Sequence, residues 1–295
     1  MKYRINHETT YTYEQAVRSC QHEAHLIPRT CRRQECLSST VDVVPVPGYR
    51  TEREDFFGNR VIYFAIDEPL ERLVVTSASE VLLQEVSAQL QPRSDVPWQE
   101  ALRRLHEERT AAHLDACQYL PDSPMAAVTR EIKRYAALSF RQRRPIAELV
   151  HHLMARIHSD FTYDPGFTTI ATPLSVVLAH RRGVCQDFAH LAIACLRSHG
   201  LPARYISGYI ETQPPPGKEK LRGADASHAW FSAYDPALGW LDYDPTNNQV
   251  PMGHHISTAW GRDFSDVTPL KGVIYGGGQH HAQVAVDVTA LVETP

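Results

Sequence analysis

Residues 181–200 read RRGVCQDFAHLAIACLRSHG, and most of the architecture follows from how that stretch is interpreted. Gly183 is a turn residue just ahead of Cys185. Beyond it Phe188, Leu191, Ala192, Cys195 and Leu196 recur at helical spacing as one apolar stripe, and Gly200 ends the helix as its C′ residue. Cys185 therefore heads a buried helix. There the unpaired N–H groups and the positive dipole end favour thiolate over thiol and can also hold a developing oxyanion. Cys195, on the stripe itself, reads as packing. A cysteine at a helix start is equally compatible with a plain capping position, so the flanking segments must decide.

Downstream, Arg204–Ile210 (RYISGYI) reads as a strand, followed by a Pro214-Pro215-Pro216-Gly217 loop. The aromatic-rich Ser227–Tyr234 is a second strand. Asp235-Pro236-Ala237-Leu238-Gly239 is a turn, and Trp240–Asp244 is a third strand, stopped by Pro245. A hairpin centred near Pro236 places His228 directly opposite Asp244, with Asp242 diagonal to the histidine as the backup acid. A slip of one residue would turn the side chains to the other face.

An imidazole held by a carboxylate and offered to a helix-start thiol is the equipment of nucleophilic cysteine catalysis. The histidine takes the thiol proton and later returns it to the leaving group, and the aspartate fixes the tautomer. The candidate catalytic residues are Cys185, His228 and Asp244, in that chain order.

Upstream, Pro145 sits at a helix start, and Ile146, Leu149, Val150, Leu153, Met154 and Ile157 follow helical periodicity. Two further helices are expected to open at Asp95-Val96-Pro97 and at Ser123-Pro124, the latter running towards Tyr135. Residues 1–85 are β-rich, with short runs at Tyr3–Ile5, Thr9–Tyr13, Ser39–Val44, Arg60–Ile66 and Leu73–Val75 separated by turn residues. Near the end, Gln283–Val288 reads as a last strand.

The 295 residues carry 30 Lys and Arg against 34 Asp and Glu, a formal charge of −4. That balance gives no electrostatic reason to expect nucleic acid or anionic lipid as a partner. No run of about 18 apolar residues suggests a membrane span, and the opening MKYRINHETTYTY lacks the apolar core of a signal peptide. Six cysteines without a Cys-x-x-Cys pair suit reduced thiols in a cytoplasm better than a disulfide framework or a zinc site.

The blocks G-V-C-Q-D-F-A-H-L, S-H-A-W and G-W-L-D-Y-D-P-T-N-N, in this order, resemble the core of the transglutaminase-like superfamily, whose fold is related to papain-type thiol proteases. The resemblance implies a triad at Cys185, His228 and Asp244. Residues 3–81, with Asp55-Phe56-Phe57-Gly58-Asn59, resemble the β-rich N-terminal region of bacterial members. The tail Gly261–Pro269, running on to Gly276-Gly277-Gly278, resembles the same group. Animal transglutaminases carry an aromatic residue after the nucleophile and acidic calcium clusters; here Gln186-Asp187 follows Cys185 and no Asp-rich cation loop occurs. Their oxyanion tryptophan has no counterpart. The backbone N–H of Cys185 is the first donor candidate, with Tyr163 or Gln186 as the second.

Other residues read as structural. His254-His255 and His280-His281 lack the partner spacing of a metal site. His190 turns away from the nucleophile and suits a buried, hydrogen-bonded role, and Asp187 suits the helix dipole. Arg141 to Arg144 and Arg181-Arg182 read as solvated charge, the latter pair with a substrate carboxylate as the alternative. The expectation is thus an α+β protein with a β-rich module over 1–85, a papain-like core over 86–250 and an extension over 251–295. The expected function is that of a thiol peptidase or amidase, cytoplasmic, without cofactor or metal, taking a peptide or protein amide. Acyl transfer to an amine, an arylamine-type acetyltransferase and a non-catalytic peptide-binding scaffold are the competing readings.

Overall fold

The computed structural model describes residues 1–84, 94–211 and 227–291. The proline-rich loop at 214–217 lies outside them. Five strands come first: β1 (Lys2–Ala24), β2 (Gln34–Val44), β3 (Tyr49–Glu54), β4 (Arg60–Ile66) and β5 (Leu70–Leu83). The runs read at Tyr3–Ile5 and Thr9–Tyr13 are parts of one long strand. The sheet order is β2-β5-β1-β4-β3, antiparallel throughout.

The helical stretch contains α1 (Trp98–Glu107), α2 (Ala111–Cys117), α3 (Arg130–Ala137) and α4 (Ile146–Asp160). The helix expected to open at Ser123-Pro124 starts instead at Arg130, where Thr129 Oγ1 accepts the N–H of Ile132. The residues before it are held out of helix by buried partners. Asp263 takes the N–H of Met125, and Arg197 donates to Ser123 Oγ.

Two short parallel strands, β6 (Thr162–Tyr163) and β7 (Arg182–Gly183), bracket α5 (Leu174–His180), and α6 (Cys185–Arg197) follows directly. Behind α6 stands a second antiparallel sheet, in the order β10-β9-β8-β11, made of β8 (Ala203–Ile210), β9 (Ser227–Asp235), β10 (Gly239–Tyr243) and β11 (His255–Gly261). Ala203, Tyr205, Ala229, Phe231 and Ala233 face the apolar stripe of α6 and, with Leu149, Leu153 and Ile157 of α4, form the largest core. Burying such side chains stabilises the fold by about 1.5–3 kcal/mol each. No helix among the described residues is long and apolar enough to cross a membrane.

The last elements are α7 (Phe264–Val267), β12 (Leu270–Gly276) and β13 (His280–Leu291). The stretch 251–295 is divided between the two sheets. β11 pairs with β8, whereas β12 and β13 pair with the two halves of β1. A register shift between Thr12 and Val17 is where β1 changes partners, from β5 and β13 to β4 and β12. The sheets also share a core, in which Tyr3, Ile5, Val81, Val286 and Val288 meet Tyr209 and Ile256. Gln34 exchanges two hydrogen bonds of 2.8 Å with the backbone of Ser257, and Asn59 two of 2.9 Å with that of Trp260.

Candidate active site

Cys185 is the first residue of α6, and Val184 before it is extended. Asp187 turns back to accept the Val184 N–H at 2.9 Å and the Thr168 hydroxyl at 2.7 Å. It thereby closes the helix start, and its burial pushes the carboxyl up. Gly183 is required here, because a Cβ at that position would lie 2.8 Å from Asp187 Oδ2. The first N–H groups of α6 stay free of intrahelical bonds, so the Cys185 sulfur and a set of free donors come from one turn of chain.

His228, on β9, is buried. Its Nε2 lies 2.8 Å from Asp244 Oδ2, and its ring also hydrogen-bonds Cys185. With Nε2 on the carboxylate, Nδ1 is the nitrogen left for the sulfur. Burial alone would lower the histidine, but the Asp244 hydrogen bond, then that to Cys185, outweigh it and raise His228 to about 10. Burial likewise works against the Asp244 charge, but the bonds from His228 and His255 hold that carboxyl far below the usual carboxylate range.

The hairpin that joins them differs from the expected register. Asp235 pairs with Gly239 and Phe231 with Tyr243, so the loop centres on Ala237 rather than Pro236. Asp235 Oδ1 accepts the Ala237 N–H at 2.8 Å, and Gly239 takes a φ of +83° to complete the turn. Asp244 is therefore diagonal to His228 instead of opposite it. A slip of two keeps side chains on their face, which is why the two still meet. Asp242, the backup acid, hydrogen-bonds Ser232 Oγ across the hairpin.

Asp244 is fully buried and over-provided with donors. Its Oδ2 also receives His255 Nε2 at 2.9 Å and Asn247 Nδ2 at 2.7 Å, and its Oδ1 receives the backbone N–H groups of Thr246 and Asn247. His255 and Asn247 were missed as partners of the acid. Asn247 was legible, since an Asp followed three residues later by Asn is a local turn pattern. His255 was not, because β11 reaches the site only by pairing with β8. The nearest atoms of His228, Asp244 and His255 lie within 4.8 Å of one another, a set of the kind that ligates metals. Their 2.8 and 2.9 Å separations are N–H···O bonds, and an ion about 2.0–2.2 Å from each atom would force them apart.

Tyr163, exposed on β6, pairs with Gly183, and burial and then Cys185 raise its hydroxyl. Gln186 is half-buried in the first turn of α6. His190 is buried and accepts the Phe264 N–H on Nε2 at 3.1 Å, which fixes it as neutral at that nitrogen. Arg182 pairs with Asp164, and Arg181 stacks on Tyr135 and Phe161. Arg182 remains exposed, as expected of solvated charge, whereas Arg181 does not. Cys195 is sealed in the core, with burial pushing its thiol up.

Comparison with known proteins matches residues 3–82 to the bacterial transglutaminase-like N-terminal region and residues 134–245 to the transglutaminase-like superfamily. An uncharacterized protein of Mycobacterium tuberculosis is 40% identical over 97% of this chain and 92% of its own length, and one of Mycobacterium leprae 33% identical over 98% of each. A protein-glutamine gamma-glutamyltransferase of Pseudomonas aeruginosa is 28% identical over 137 residues, 42% of this chain and 20% of its own. Among solved structures, a "putative cysteine protease" from Cytophaga hutchinsonii covers 100% of this chain and 92% of its own, with a TM-score of 0.74 at 21% identity, a likeness of fold. The chain belongs to the transglutaminase-like superfamily and carries the bacterial N-terminal region ahead of that core.

Proposed function

We propose that the protein is a Cys-His-Asp thiol hydrolase of peptide or glutamine-type amides, with Cys185 as nucleophile, His228 as acid and base, and Asp244 as the group that orients the imidazole. The observation that carries this reading is that one buried imidazole hydrogen-bonds both the helix-start sulfur and a buried carboxylate. The sulfur attacks the amide carbon as the thiolate, its proton already held on His228. The carbonyl oxygen becomes an oxyanion on the Cys185 N–H, with the Tyr163 hydroxyl or the Gln186 amide as second donor. Collapse breaks the C–N bond, and the imidazolium gives its proton to the departing amine, leaving a thioester. Water then gives a proton to His228 and attacks the thioester, and the sulfur leaves with the proton returned. Six free cysteines suit a reducing compartment such as the cytoplasm.

The same thioester can pass to a primary amine. The Pseudomonas aeruginosa relative, by its name a glutamyl transferase, favours that second reading. Mass spectrometry of a peptide library incubated with the protein, with and without an added primary amine, separates the two. Cleaved or deamidated peptides in both samples support hydrolysis, and amine adducts support transfer. Products that persist in Cys185→Ala, or no product at all, would overturn the enzyme reading in favour of a peptide-binding scaffold.

A further inference from the structure

The catalytic sheet has a second face, and a cavity of about 1290 Å³ lies against it. Along β8 and β10 the residues between those that face α6, namely Arg204, Ile206, Trp240 and Asp242, form its floor. Cys31 and Phe57 of the N-terminal module stand on its wall, and Phe56, 81% exposed, on its rim. Cys185 and His228 are not among its lining residues; His255, which bonds Asp244, is the point at which it borders the candidate triad.

Arg204 sets its chemistry. The guanidinium lies 4.3 Å from the centre of the Trp240 ring and 3.8 Å from that of Trp260, and only 8% of the residue is exposed. No carboxylate among the described residues forms an ion pair with it, and its Nε–H has no partner. Its polar neighbours are Asp242, whose carboxylate accepts from Ser232, the Tyr119 hydroxyl and the Cys31 thiol, and a second cation, Arg29, lies close by. A buried cation left this way is strongly unfavourable, and a guanidinium offers a planar fork of donors to a carboxylate. The guanidinium itself fills the space between the two tryptophan rings and Arg29 covers Trp260 at 3.5 Å, so the ring edges, with Phe57, are the apolar surface left for a ligand's body. Asp242, Asp95, Asp115 and Glu148 around the space favour one negative charge over several.

We propose that this cavity is a second ligand site, which takes a monoanionic carboxylate with an aromatic or apolar body, its carboxylate on Arg204 and its body against Trp240, Trp260 and Phe57. The chemistry is shared by an acidic residue of a peptide and by a free aromatic acid, and it holds whatever the reaction at Cys185.

The test titrates the full chain calorimetrically with phenylacetate against phenylacetamide, and with Ac-Phe-Glu-NH2 against Ac-Phe-Gln-NH2. At least one acid should bind about tenfold more tightly than its amide, and it should slow alkylation of Cys31 while leaving that of Cys185 unchanged. Binding by phenylacetate alone identifies a free acid as the occupant class, and binding by the glutamyl peptide alone a peptide. Arg204→Met should erase the preference for acid over amide, and Arg204→Lys should retain part of it should the Met variant fail to fold. Equal binding of acid and amide, no binding at millimolar concentration, or protection at Cys185 in place of Cys31 would each overturn the site.

Discussion

Asp244 is the residue on which the site's charge balance turns. Its carboxylate keeps His228 protonated well above the usual histidine range, to about 10, so the imidazolium persists into alkaline solution. Replacing it tests this. Asp244→Asn should lower kcat by about 10²–10⁴-fold and move the alkaline limb of the kcat/KM profile down towards the ordinary imidazole value near 6.5. An unmoved limb would separate Asp244 from the imidazole's titration. The same groups set stability against pH. The raised His228 contributes fully below about 6.5, and that contribution fades as pH rises through about 10. The depressed Asp244 contributes above about 3.8 and is lost as pH falls through its folded value. At this scale the sequence was informative where contacts are local or follow a pairing rule. Cys185, His228 and Asp244 could be placed together because parity survives a two-residue error in register. His255 could not, since its contact depends on a distant strand.

Single elements carry the positioning. The short pair β6 and β7 holds the chain so that Val184 enters α6 extended, and Asp187 locks that entry from inside the helix. Gly183→Ala would drive a methyl into the Asp187 carboxylate. It should cost about 1–2 kcal/mol of stability, as loss of a helix cap does, and lower kcat while leaving far-UV circular dichroism unchanged. Wild-type turnover and denaturant midpoint in that variant would remove Asp187 from the positioning of Cys185. Periodicity marked α4 and α6 because their apolar stripes are complete. It misplaced the start of α3 because Asp263 and Arg197, remote in sequence, hold residues 123–125 in a turn. The hairpin loop was centred one residue early, since Pro236 looked like the turn's middle, whereas the Asp235 side chain and Gly239 set it.

At the scale of the molecule, the expected division near 85 falls between β5 and α1, that near 250 falls between β10 and β11 of one sheet, and the later strands cross both. β12 and β13 cover the edges of β1 and bury Leu270, Val286 and Val288. Those three side chains are worth about 5–9 kcal/mol together, comparable with the whole stability of a domain, about 5–15 kcal/mol. Deleting 270–291 should therefore abolish the cooperative thermal transition, and a truncated protein with the parent Tm would show that β1 needs neither partner. Pairings between such distant strands cannot be deduced from local pattern, which is why the docking of the last strand was invisible in the sequence. They also set a timetable for biogenesis. On the ribosome β1 is made well ahead of β13, the strand that closes its flank, so the nascent chain carries an unpaired edge while everything between them is synthesised and depends on chaperones or speed to keep it from foreign strands.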